Sequence, residues 1–152
     1  MRGRGETQTL LSNFPIPEPI IGALAVGLGL RHLAPPARLP GARALRRTGA
    51  ALIATGGALI AWATAQTRGM RIDEPDRLLT QGPYALSRNP MYAGWLGIAS
   101  GLGLVLNSAW LLLTTALAFL YLHRVEIPKE EAALATSFGD RYRQYRARVP
   151  RY

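Results

Sequence analysis

Residues 89–122 read NPMYAGWLGIASGLGLVLNSAWLLLTTALAFLYL, from Asn89 to Leu122, and contain no Asp, Glu, Lys, Arg or His. As one helix these 34 residues would extend about 51 Å. The hydrocarbon core of a bilayer is about 30 Å thick. A single straight crossing is therefore too long, and a hairpin that turns near Asn107-Ser108 fits better. A hairpin returns the chain to the side it left. The polar residues on either side of it then meet above an apolar pedestal. Before it stands Gly82-Pro83-Tyr84-Ala85-Leu86-Ser87-Arg88-Asn89-Pro90-Met91-Tyr92-Ala93-Gly94, and after it come Glu130-Glu131, Leu134, Phe138-Gly139, Tyr142, Tyr145 and Val149-Pro150.

Composition points the same way. The chain has 152 residues, enough for one domain, of which 49% are hydrophobic and 18% charged. A second stretch, the 20 uncharged residues between Arg47 and Arg68, is also long enough to span a bilayer. A soluble all-helical domain rarely needs both runs, so an all-α integral membrane protein is expected. The absence of cysteine excludes disulfides, thiol nucleophiles and cysteine metal sites. With His32 and His123 as the only histidines, a histidine-based metal centre is excluded too, and no metal is expected. Pro15, Pro17, Glu18 and Pro19 interrupt any signal-peptide core, so the first apolar run is expected to stay as a helix. The net charge of +9 is almost entirely arginine. Beside membrane segments, it suggests anionic lipid headgroups rather than nucleic acid.

Four membrane helices follow: about Ile16–Leu33, Thr48–Thr67, Pro90–Leu106 and Ala109–Ile127, the last two forming the hairpin. Residues 1–15 are expected to be disordered or loosely interfacial. Residues 34–47 form a basic loop, and residues 68–89 a polar connection whose Asp73, Glu74 and Asp76 suit an ordinary polar loop better than a cation site. From about Lys129 to Ala147, the face Leu134, Phe138, Tyr142, Tyr145 describes an amphipathic helix, which the Phe138-Gly139 step can bend. Four crossings put 13 of the 18 basic residues on the side of residues 82–94, and the positive-inside rule makes that side cytoplasmic. Gly49, Gly56, Gly57 and the alanines of the second helix permit close helix contact, within one chain or in a homodimer. Gly101-x-Gly103 lies inside an apolar helix with no strand before it and reads as helix packing, not a nucleotide fingerprint.

The two polar motifs, in this order and at this separation, resemble the isoprenylcysteine carboxyl methyltransferase and phospholipid methyltransferase superfamily over residues 78–150. The resemblance implies a small membrane enzyme that uses S-adenosyl-L-methionine, with the cofactor between the Arg88-x-Pro90-x-Tyr92-x-Gly94 segment and the C-terminal helices. It also implies a lipophilic acceptor that enters from the bilayer. Residues 1–67 would be a helix pair, and residues 68–152 the catalytic half of a single domain. Where superfamily members acting on prenylated proteins carry His, this chain has Asn89, so the resemblance points to methyl transfer without choosing the acceptor. A phospholipid amine, a prenyl-type carboxylate, or a small hydrophobic thiol or amine all remain open. The implied setting is a bacterial inner membrane with the site facing the cytoplasm.

The residue chemistry agrees. Such a cofactor carries an ammonium, a carboxylate, a sulfonium, a diol and an adenine. Glu130 and Glu131 suit the ammonium or the diol, and Arg88 suits the carboxylate. Asn89 donates and accepts. Tyr84, Pro90, Tyr92, Phe138 and Tyr142 would line the slot, with Tyr145 as a further aromatic. Gly94 permits close approach. Arg88, Glu131 and His123 are the catalytic candidates, with Glu131 or His123 taking a proton from an ammonium acceptor. Blander readings stand beside these: Arg88 as a helix-end anchor, the glutamate pair as a solvated first turn, His123 as an interfacial residue, and Tyr142 and Tyr145 as packing residues. Two other functions compete, a sterol-reductase-like oxidoreductase and a non-catalytic membrane binding protein. The chain is short for the first, and the motif residues are intact against the second.

Overall fold

The computed structural model describes residues 17–67 and 77–152, and every regular element among them is helical. The expectations for residues 1–15 and for Asp73, Glu74 and Asp76 lie outside these residues. α1 runs Glu18–Leu33, α2 Ala42–Gln66, α3 Pro90–Val105, α4 Ala109–Tyr121, α5 Ile127–Phe138 and α6 Asp140–Arg148. A short 3₁₀ turn, Gly82–Ala85, precedes α3.

α2 begins six residues before the expected Thr48. Gly41, in the left-handed region at φ 81°, lets the chain turn into it. Arg43, Arg46 and Arg47 then ride its first turns with no acidic residue among them. Cations at a helix N-terminus oppose the macrodipole, but alanine, leucine and arginine are strong helix formers and prevail. Charge marks where a membrane could begin, not where a helix does.

α4 does not stop at Ile127. It passes through a π turn, Leu122–Glu126, straight into α5, so that Ala109–Phe138 is one 30-residue helix. Pro128 lacks an N–H and crowds the carbonyl four residues back, and the wide turn before it relieves that conflict. Gly139, at φ 52°, ends α5 and starts α6, the break the Phe138-Gly139 step foreshadowed.

The helices pack as antiparallel neighbours. α1 lies on α4, where Gly27 admits Leu111 and Thr114, and Ile20 joins Ala118, Leu122, Ile127 and Ala99 in the core. α2 lies on α3 through glycines spaced seven apart, and hence on one helix face. A Cβ on Gly49 would sit 2.6 Å from the Gly101 carbonyl oxygen, and one on Gly56 2.5 Å from that of Gly94. The small residues of α2 thus serve contact within one chain, though Gly57 faces open space. Gly103 meets Leu112, so both glycines of Gly101-x-Gly103 are packing residues.

Between α3 and α4 the chain turns through Asn107, at φ 48°, a conformation asparagine tolerates. Ser108 then caps α4 by accepting from the Leu111 amide at 3.5 Å.

Two helices among the described residues, Ala42–Gln66 and Ala109–Phe138, are long and apolar enough to cross a membrane. α4 is polarised for an apolar solvent. Leu113, Leu117 and Leu120 are exposed on one face, while Thr114 and Thr115 are buried on the other with their hydroxyls on helix carbonyls. Thirty residues span about 45 Å, longer than a bilayer core of about 30 Å.

Gly56→Ala will destabilise the protein by about 1–3 kcal/mol, because backbone opposes the new methyl, whereas Gly57→Ala will be neutral or stabilising by up to about 1 kcal/mol. Thermal unfolding in detergent compares them.

Candidate functional site

The site forms at the end of the bundle where α3 begins, α5 leaves the pedestal and the C-terminal residues return. Gly82, at φ 59°, turns the chain under Gln66, and Pro90 at the first turn of α3 fixes the direction of departure. Between them Ser87, Arg88 and Asn89 meet an extended tail, residues 149–151. The Arg88 amide donates to the Pro150 carbonyl at 3.0 Å, and Arg88 Nε donates to the Val149 carbonyl at 3.0 Å. Ser87 Oγ and Asn89 Nδ2 both donate to the Arg151 carbonyl, at 3.0 and 3.2 Å.

Glu131 lies at the centre, 8% exposed. Its Oε1 accepts from Arg88 Nη1 at 2.7 Å and from Arg151 Nε at 3.0 Å. Its Oε2 accepts from Arg151 Nη2 at 2.7 Å. A carboxylate out of water requires this kind of compensation. Arg88 Nη1 also donates to the Tyr142 hydroxyl at 3.2 Å, and Arg151 Nη1 to the His123 carbonyl at 3.4 Å. The Glu131 hydrogen bonds raise the already high pKa of Arg151, so it is charged throughout the working range.

The aromatic residues form two groups. Tyr142 and Tyr145 are both buried on α6 with ring centroids 6.2 Å apart, and the Tyr145 hydroxyl donates to the Tyr84 carbonyl at 2.7 Å. Burial pushes both Tyr84 and Tyr145 up to about 12, so these phenols stay neutral donors. On the other side, Tyr152 stacks on His123 at 5.9 Å, with Phe119 5.6 Å from Tyr152. His123 Nδ1 is buried and has no partner among the described residues. Tyr92 donates to Glu130 Oε1 at 2.5 Å.

Of the residues expected to form a site, Arg88, Asn89, Glu131 and Tyr142 are thus joined through the tail, Tyr92 is joined to Glu130, and Tyr84 to Tyr145. Phe138 closes α5 beside Gly139, half-buried. Three placements bear on those expectations. Glu131 is committed to two guanidiniums, so it is a poor proton acceptor, and the carboxylate left for a ligand is Glu130. The space where a side chain would stand on Gly94 is filled by Ile60 and Gly56 of α2, so this glycine serves helix contact. Arg151 turns inward onto Glu131. No periodicity could reveal that, because Pro150 lies beyond α6 and releases the chain from helical spacing. Ser87 and Tyr152 were missed for the same reason: their partners are far away in sequence.

Replacing Glu131 with Gln leaves two guanidiniums without their counter-charge. A loss on the order of 3 kcal/mol is expected, together with faster hydrogen exchange over residues 149–152, which mass spectrometry of the detergent-solubilised protein will read.

The model of the phospholipid methyltransferase family matches residues 45–141, from the first turn of α2 into α6. Over 73 residues the chain is 38% identical to a protein-S-isoprenylcysteine O-methyltransferase of Schizosaccharomyces pombe (strain 972 / ATCC 24843). That match covers 48% of this chain and 31% of the relative, so the chain corresponds to about a third of the relative's length. No solved structure gives a significant match. The Ser87–Gly94 and Glu130–Tyr145 motifs stand on the helices that carry the match, or directly before and after them, and by that match the chain belongs to the phospholipid methyltransferase family.

Proposed function

We propose that the protein is an S-adenosyl-L-methionine-dependent methyltransferase acting on a lipophilic acceptor. The observation that carries this reading is the charge arrangement at the site. Arg88 and Arg151 surround a single carboxylate, Glu131, which leaves one positive charge in surplus. The next residue, Glu130, is a carboxylate bonded only to Tyr92 among the described residues. A surplus cation beside an available anion suits the zwitterionic amino-acid end of such a cofactor.

When bound, the cofactor would supply an electrophilic methyl on a sulfonium. The residues present fit it. Glu130 would hold the ammonium, and the Arg88–Arg151 pair the carboxylate. Tyr92, Tyr84 and Phe138 would border the apolar part, with Asn89 offering both donor and acceptor. Transfer of this kind requires alignment and exclusion of water more than covalent catalysis. The tail across residues 87–89 serves both. For an amine acceptor a proton must leave, and His123, whose buried Nδ1 has no partner among the described residues, would receive it. A carboxylate acceptor needs no such group.

In this reading all four helices α1–α4 cross the bilayer, α3 and α4 as a hairpin. At 16 residues each, α1 and α3 span about 24 Å and require local thinning of the bilayer. The site faces the cytoplasm of a bacterial inner membrane, at the depth where lipid headgroups lie.

Calorimetric titration with S-adenosylmethionine and S-adenosylhomocysteine is expected to show saturable binding that Glu130→Gln weakens by about 10-fold or more. Transfer of a radiolabelled methyl group to membrane lipid extract is expected to fall in His123→Asn if the acceptor is an amine, with cofactor binding retained. No binding to folded protein in lipid nanodiscs would overturn the proposal and favour a nicotinamide-dependent or non-catalytic role.

A further inference from the structure

The opposite end of the bundle has a concave feature of its own. A cavity of about 210 Å³ opens beside the end of α1 and the 106–110 turn, and Arg31, His32, Arg38, Asn107, Ser108 and Trp110 line it. Its walls are fixed by hydrogen bonds. The Asn107 side chain accepts from the Leu39 amide at 2.8 Å and donates to the Leu39 carbonyl at 3.1 Å. The Ala109 amide donates to the Ala37 carbonyl at 2.9 Å, and Trp110 Nε1 to the Pro35 carbonyl at 3.0 Å. The 34–41 loop is therefore pinned across the turn.

Among the described residues this end lacks negative charge. Every described acidic residue, Glu18, Glu126, Glu130, Glu131 and Asp140, belongs to the other end. Arg31 donates to the Leu106 carbonyl. His32, Arg38, Arg43, Arg46 and Arg47 have no hydrogen-bond or ion-pair partner among the described residues. The N-terminus of α2 adds to this, since no side chain caps its free amides and its dipole is positive there. A concentration of cations without an internal counter-charge calls for an external anion. The surroundings specify its kind. Leu33, next to His32, is 90% exposed, and Val26 and Leu28 expose further apolar surface along α1. Trp110 is the type of residue found at a membrane interface. A soluble anion would satisfy the arginines and leave this apolar flank bare, whereas a lipid satisfies both.

We propose that this cavity binds the phosphate of an anionic phospholipid headgroup, in the leaflet away from the methyltransferase motifs, with its acyl chains along α1. The site is distinct from the one that Glu131 organises, and its test does not depend on methyl transfer.

The test is the melting temperature of the full chain in detergent, titrated with short-chain phosphatidylglycerol, short-chain phosphatidylcholine or inorganic phosphate. Phosphatidylglycerol is expected to raise it saturably. The double substitution His32→Gln, Arg38→Gln should weaken the apparent affinity by about 10-fold or more, a few lost charge-assisted hydrogen bonds. Neither side chain has a partner among the described residues, so the melting temperature without lipid should hold. Arg143→Gln, at an exposed arginine of the other end, should leave the affinity unchanged. An equal shift with inorganic phosphate would assign the cavity to a soluble anion. Equal shifts with phosphatidylcholine, or equal weakening by Arg143→Gln, would reduce the effect to general lipid or surface charge. Each of these results overturns the proposal.

Discussion

One carboxylate organises the end of the molecule where function is expected. Glu131 sits out of water on the helix that rises from the pedestal, and two guanidiniums from opposite directions close on it. Arg88 comes from the segment before α3, Arg151 from the extended tail after α6. Neither a buried carboxylate nor the two arginines would be stable alone at such low exposure, so the three must meet or the region must open to solvent. Their meeting draws in the rest. The Arg88 backbone binds the tail, the Arg88 side chain reaches Tyr142, and Tyr145 on the same helix reaches back to Tyr84. A coulombic contact thus works with the buried rings of Tyr142 and Tyr145 to set where α6, a short and arginine-rich helix, lies.

That contact requires a rigid base, and the base follows from size rather than charge. Glycines seven residues apart bring α2 and α3 to backbone contact, and Gly27 does the same for α1 and α4. The unbroken helix from Ala109 to Phe138 then carries the geometry upward. Its π turn falls between the apolar stretch and Glu130, where Pro128 would otherwise conflict with the carbonyl before it. The extra width of that turn sets the phase of Glu130 and Glu131 relative to the leucine face below. The two ends of the bundle consequently differ in kind. At one, carboxylates and cations pair within the chain, as Glu131 does with Arg88 and Arg151. At the other, Arg38, Arg43, Arg46 and Arg47 have no partner among the described residues.

Much of this was legible in residue order. The charge-free runs locate the apolar helices, and the glycine-rich α2 announces close contact. Gly139 announces the joint before α6, and the motif residues on either side of residues 95–122 announce a shared site. What escaped shares a physical character. The start of α2 was hidden because arginines are excellent helix formers even where the dipole disfavours them. The continuation of α4 was hidden because a proline normally ends a helix, and a π turn is not written in any spacing. Gly94 looks like a ligand-contact glycine and a helix-contact glycine alike, and only the tertiary structure shows the Ile60 that packs against it.

Primary structure was therefore sufficient for those properties that depend on local hydrophobicity, residue size and backbone permissiveness: helical class, apolar segments, turns and the family motifs. Pairing between distant charges was not among them. Glu130 and Glu131 are chemically identical neighbours, and nothing local distinguishes the one that bonds Tyr92 from the one that anchors two arginines. Helical phase and the returning tail make the distinction, because an electrostatic contact at 2.7 Å depends on where the chain brings each group, not on which residues flank it.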